Sequence, residues 1–293
     1  SSQDRAARDG TTSTVLLVSE MLQNALELVR MGVHPSIIVK GYSIALEESL
    51  EEVIRVSLDS KEEQKIQVVN TSLQGKGDSA LCELISGLAI EAANGLVGQG
   101  EEFDLERFRV KRLQIRQGSV MDTSLVRGLM LLKSRVDINS PPESKGGKVA
   151  IIDGDLEKSN LQTSASIEVS SLGILQDFHD REMQSLSNQV DHLSSLGVDL
   201  LVTRGGIADE AVSMLTDAGI TGYRRFEKSD IDLLSVITGA NPTRSISSLK
   251  ESDIGKYSRR SEESIADVKH TLLEGDGMGM TLVVRGSTPI IRE

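Results

Sequence analysis

The residues most able to do chemistry stand near the start of the chain. Asp9-Gly10-Thr11-Thr12, followed by Ser13, sets one carboxylate, one glycine and three hydroxyls at the mouth of an amphipathic helix. A helix N-terminus leaves four backbone N–H groups without intrahelical acceptors and carries partial positive charge, so it attracts phosphate oxygens. The hydroxyls add donors, and Asp9 is a hard oxygen ligand suited to the magnesium that accompanies a nucleoside triphosphate. The same residues have a plainer use, because Asp9 and Thr11 can simply cap the helix. Residue types alone leave both readings open.

Other candidates are weaker. Lys76 sits between Gly75 and Gly77, but a Walker A loop is excluded, since Asn70 and Gly77 occupy the places of its first glycine and its hydroxyl. On residues alone Lys76 is a surface lysine in a flexible turn. Gly275-Asp276-Gly277-Met278-Gly279 lacks the spacing and the strand-to-helix context of a dinucleotide loop and reads as a flexible hairpin. Asp153-Gly154-Asp155 fails as a calcium loop, because Lys158 stands where glycine is required. Glu51-Glu52 and Glu62-Glu63 read as solvated helix faces. One cysteine, Cys82, excludes an internal disulfide and a cysteine zinc site, and the four histidines are scattered. No nucleophile–base pair or metal cluster supports a small-molecule enzyme.

The elements that must position these residues follow from periodicity. Val15, Val18, Leu22, Leu26 and Val29 predict a helix over 12–29, stopped by Gly32. Pro35 opens a second helix. A charged stretch and Val68–Leu73 lead to the Gly75–Gly77 loop, and Asp78 caps a third helix to about Val97. Phe108–Ile115 alternates as a strand. From about Leu129 the texture is that of a different domain. Strands are predicted at 149–153 and 165–169, then a long helix at 172–196 whose Leu186, Val190 and Leu193 form a docking stripe. A strand at 198–203, a Gly205-Gly206 turn, a helix at 207–218, a strand at 220–226 and a helix capped by Ser229 follow. This alternation implies a parallel α/β layer. Residues 243–275 read as loops around short elements, and 280–285 as a final strand.

Composition narrows the functions. A net charge of -12 disfavours nucleic acid and anionic membranes as partners, and the absence of Trp removes the best base-stacking platform. No apolar run approaches a membrane span and no signal sequence opens the chain, so a cytoplasmic location is expected.

Three stretches carry a family resemblance. Asp9-Gly10-Thr11-Thr12 resembles the phosphate-binding signature of chaperonins. Val33-His34-Pro35-Ser36-Ile37-Ile38-Val39-Lys40-Gly41-Tyr42 is similar to the helix junction that follows it in the group II (thermosome) family. Gly118-Ser119-Val120-Met121-Asp122-Thr123-Ser124-Leu125-Val126-Arg127-Gly128 is similar to the segment entering that family's apical domain. Their order and spacing match too.

The resemblance implies an α/β, chaperonin-like fold: an apical α/β domain with a helical protrusion or lid, an α+β intermediate domain, and a helical remnant of the equatorial domain. It implies boundaries of 1–61 (equatorial), 62–130 (intermediate), 131–282 (apical, protrusion about 172–196) and 283–293 (return into the intermediate domain). It implies ATP and Mg2+ as cofactors, with Asp9, Gly10, Thr11, Thr12 and Ser13 at the nucleotide, Asp9 on the metal and Lys76 sensing the terminal phosphate. Client contacts are expected at Leu172, Ile174, Leu175 and Phe178 near the protrusion tip, and at Ile207 and Met214 on the following helix. Partners would be unfolded proteins and sister subunits of a double ring. The rival is an apical-type module that holds unfolded chains without ATP. Arg8 stands where the family usually has glycine, which reshapes the loop or adds a cation. The family's other nucleotide contacts and its general-base aspartate fall outside residues 1–293, so little or no ATPase activity is expected of this chain alone. A fragment, a partly ordered subunit and a natural truncation all fit.

Overall fold

Five helices come first: α1 (Ser2–Ala7), α2 (Thr11–Arg30), α3 (Pro35–Val56), α4 (Glu62–Leu73) and α5 (Ser79–Leu96). In this computed structural model the described residues are 2–7, 9–58, 61–96, 110–156 and 172–286. They divide into two units, 1–90 and 91–293. Arg8 and the strand expected at 165–169 lie outside the described residues.

In the first unit the predicted helix boundaries hold for physical reasons. Gly32 takes φ +93°, and Val33 N–H reaches back to Leu28 O at 3.0 Å, closing α2 in a glycine-dependent turn. Pro35 begins α3, and His34 Nδ1 accepts from Ser36 N–H at 3.3 Å. Tyr42 Oη donates to Met21 O at 2.6 Å and ties α3 to α2. Asp78 Oδ1 accepts from Leu81 N–H at 2.8 Å, as a helix cap should. The residues before it, unassigned from sequence, are helical from Glu62, where the Gln64 side chain accepts from Lys61 N–H. The apolar stripe that predicts α2 is there but uncovered: α2 buries none of its residues and α3 buries only Ile38.

Among the described residues the second unit holds three sheets. Strands β1 (Val110–Ile115), β2 (Ser124–Arg127), β3 (Leu129–Leu131) and β4 (Gly147–Ile152) precede helix α6 (Leu172–Ser195). Then come β5 (Leu200–Thr203), α7 (Asp209–Asp217), β6 (Thr221–Tyr223), α8 (Lys228–Thr238), β7 (Gly255–Tyr257), β8 (Arg259–Ile265), β9 (Val268–Glu274) and β10 (Met280–Arg285). The orders are β1-β10-β2, β3-β9-β8 and β6-β5-β4-β7. In the last sheet β4, β5 and β6 are parallel and β7 is antiparallel to β4.

This parallel layer is the core. Val149 and Ile151 face a cluster with Leu200, Val202, Leu234 and Ile237, while Ala150 and Ile152 face one with Leu186, Val190, Leu193 and Leu201. A strand buried on both faces must be apolar at consecutive positions, which explains the unbroken Val-Ala-Ile-Ile run. The predicted docking stripe holds, with Leu186, Val190 and Leu193 at most 4% exposed.

Three expectations are corrected. Ser229 does not cap α8; it lies inside the helix, and the cap position is Glu227, which makes no side-chain cap bond. Residues 243–275 are not mainly loops, because β8 and β9 pair over seven residues in an antiparallel hairpin. Its polar composition hid it: Arg260 and Ser261, on opposite faces of β8, are both buried although both are polar. Its two-residue turn uses Ala266 (φ 56°) and Asp267 (φ 60°), not glycine. Finally, 275–279 is a tight crossing between two sheets rather than a flexible hairpin. Gly277 N–H donates to Ile237 O at 2.9 Å, and a Cβ at Gly277 would meet Val236 O at 1.9 Å.

Left-handed conformations cost side-chain-bearing residues energy, so relieving one in the hairpin turn should stabilise the fold. Asp267→Gly is expected to gain about 1 kcal/mol, seen as a higher thermal midpoint, whereas Gly277→Ala should lower it.

Candidate functional site

The mouth of α2 gathers the polar residues singled out from sequence. Gly10 is the N-cap, in the left-handed region at φ 72°, and offers no side-chain cap bond to the first amides of the helix. Thr14 N–H and Thr14 Oγ1 both donate to Gly10 O at 2.9 Å. Thr11, Thr12 and Ser13 are exposed on the first turn. The amides of that turn have no intrahelical acceptors, the condition for an anion site.

Asp9 does not cap the helix as the plainer reading expects. Its Oδ1 accepts from Gly10 N–H at 2.9 Å, and its Oδ2 accepts from Ser72 Oγ at 2.9 Å. The Gln3 side chain donates to Asp9 O at 2.9 Å. The carboxyl is held below the usual carboxylate range, first by the Gly10 amide, then by the Ser72 hydroxyl, with the Lys76 charge adding to both. Hydrogen bonds to a charged form favour that form.

Ser72 belongs to the last turn of α4. Lys76 follows in the turn beyond it, where Gly75 takes φ 79° and Lys76 N–H donates to Leu73 O at 3.0 Å. The Lys76 charge contributes to lowering the Asp9 pKa. Ser72 went unnoticed in the sequence, since 63 positions separate it from Asp9 and no motif links them.

This donor set fits phosphate and magnesium in a limited way. One carboxylate with surrounding hydroxyls matches a hard cation held mainly through phosphate oxygens. No group of three or more His, Cys, Asp or Glu able to hold a metal by itself occurs among the described residues.

The expected client residues are distributed unevenly. Leu172, Ile174, Leu175 and Phe178 fall on the first turns of α6, and their side chains lie outside the described residues. Ile207 is not a surface residue: at 2% exposure it packs with Leu156, Leu186 and Leu215. Met214 is half-buried against the same cluster. Asp153 instead pairs with Arg204 at 2.9 Å, and Asp155 Oδ1 accepts from Gly206 N–H at 2.8 Å, so both serve loop structure. Among the described residues no helix is long and apolar enough to cross a membrane.

Comparison with known proteins gives consistent matches. A model of the TCP-1/cpn60 chaperonin family matches residues 1–293. A thermosome subunit of Methanothermococcus thermolithotrophicus is 30% identical over 296 residues, covering 99% of this chain and 54% of that protein. The thermosome subunit beta of Thermococcus kodakarensis is 32% identical, with coverages of 98% and 54%. The chain thus spans about half the length of the curated relatives it matches. Among solved structures, the open-state monomer of a group II chaperonin from Methanococcoides burtonii aligns with a TM-score of 0.70 and 25% identity. That alignment covers 97% of this chain and 66% of the other.

The Asp9 carboxyl gives a direct check on this geometry. Because its folded pKa is depressed, its stabilising contribution is complete at neutral pH and is lost as pH falls through the folded value. Ser72→Ala should shift the Asp9 titration upward, toward the ordinary carboxylate range, when followed by carboxyl-carbon NMR.

Proposed function

This chain belongs to the TCP-1/cpn60 chaperonin family, and on that premise we propose that it serves in an ATP-dependent chaperone subunit that binds and encloses unfolded proteins. The subunit would work in a double ring with sister subunits, in the cytoplasm, closed by its own helical lid. The observation that carries the nucleotide part is the Asp9–Ser72 bond, which joins the mouth of α2 to the end of α4, just before the turn bearing Lys76.

In this reading residues 1–61 are equatorial, 62–130 intermediate, and 131–282 apical with a protrusion at about 172–196. Residues 283–293 return to the intermediate domain. The uncovered apolar stripe of α2 and α3 is the face that packs against the rest of an equatorial domain. The free amides of Thr11, Thr12 and Ser13 bind phosphate oxygens, with Gly10 letting them approach closely. Asp9 holds magnesium, which when bound neutralises charge on the phosphates. Lys76 answers the terminal phosphate as a mobile cation. Ser72 keeps the Asp9 carboxylate ionised and aimed. A client is held by the apolar first turns of α6 (Leu172, Ile174, Leu175, Phe178) and by Met214, whose flexible thioether adapts to varied partners. Ile207, sealed in the core, supports α7 rather than touching the client.

Nucleotide and client binding are measured separately. By fluorescence titration, Lys76→Ala and Asp9→Asn should each weaken magnesium-ATP binding about tenfold, an effect of about 1.4 kcal/mol. Unchanged affinity in both variants would overturn the assignment. Electron micrographs showing double rings favour the enclosing machine. A monomer that suppresses client aggregation equally with and without ATP favours the passive module instead.

A further inference from the structure

The three-stranded sheet β1-β10-β2 is joined by two chain crossings to the β3-β9-β8 sheet. One is Gly128, between β2 and β3, and the other is 275–279, between β9 and β10. The crossings are lashed together: Gly128 N–H donates to Gly279 O at 2.8 Å, and Thr281 Oγ1 donates to Gly128 O at 2.9 Å. Thr281 Oγ1 also accepts from Met130 N–H at 3.0 Å. A Cβ at Gly128 would meet Leu273 O at 2.4 Å. Both crossings are single backbone strands seated through glycines, which fixes a pivot but does not by itself fix an angle about it.

Away from the pivot, Ile115 and Val283 pack with Met130 and Leu272 across the two sheets, and one buried ion pair adds a charged contact. Lys111 Nζ, from β1, donates to Asp230 Oδ1 in the first turn of α8. The Asp230 side chain is 3% exposed and that of Lys111 is 21% exposed. Asp230 lies on the helix that also seats the glycines of 275–279 through Val236 and Ile237. A carboxylate this buried is stable only with its cation in place, and removing one partner of such a pair costs several kcal/mol. Turning the sheet about the crossings would carry Lys111 away and leave Asp230 buried without its counter-charge.

We propose that Lys111 and Asp230 form a latch that holds the three-stranded sheet at one angle on the α/β layer. The proposal rests on the chaperonin reading only for its use: a subunit whose domains turn during its cycle must break this pair to leave the angle described here. Among the described residues the other ion pairs do not share the role. Arg135–Glu262 joins the 132–146 loop to β8, and Arg259–Glu274 lies within the β8–β9 hairpin.

The test is a pulsed electron-spin distance measurement on the 293-residue chain in a Cys82→Ser background, with nitroxides at Gln114→Cys on β1 and Asp217→Cys at the end of α7. The unmodified pair should give a narrow distribution. Lys111→Met, which keeps the stem and loses the charge, should widen it about twofold, because an unpaired buried carboxylate disfavours the latched angle. Lys111→Arg should keep it narrow, and Asp230→Asn should match Lys111→Met. Equal widths for Lys111→Met and Lys111→Arg would overturn the latch. If Asp230→Asn does not fold, the two Lys111 variants still decide. The readout needs neither nucleotide nor client, so its failure is separable from failure of the chaperonin assignment.

Discussion

Burial of β4 and β5 on both faces is the constraint on which the second unit depends. Two strands that expose neither face to water must be covered on both, so α8 closes one side and α6 with α7 the other. That arrangement dictates apolar residues at successive positions of the strands and amphipathic stripes on the helices.

The same economy explains how much the sequence reveals. β4, β10 and the docking half of α6 were legible because consecutive apolar residues and a three-to-four spacing have few other uses. The limits of α2 and α3 were legible because Gly32 and Pro35 act through their own backbone. The β8–β9 hairpin was not, because Arg260 is buried through bonds to Pro141 O and neighbouring hydroxyls that no local pattern announces. A turn built on Ala266 and Asp267 gives no glycine signal either. Ser229 suits a cap by its type, but the helix begins at Lys228, so the cap position falls two residues earlier, at Glu227.

The candidate site divides along similar lines. Asp9, Gly10 and the hydroxyls that follow stood out because their types and adjacency suit a helix mouth. Ser72 did not, since its part is a long-range contact made by the packing of α4. Ile207 shows a different limit: expected as a client contact, it is sealed in the core. Spacing identifies which residues share a helix face, but it cannot say whether that face meets solvent.

The pairing of β1 with β10 has a kinetic side. Val110 lies against Met280, and the Thr281–Gly128 bond joins residues 153 positions apart, with the whole α/β layer threaded between them. Closing so long a loop in a disordered chain loses entropy that few contacts repay. Once the intervening layer has folded, its two ends emerge side by side and that loss is already met. The small sheet is therefore the last part of this unit to assemble, and the first to come apart when the layer beneath it loosens.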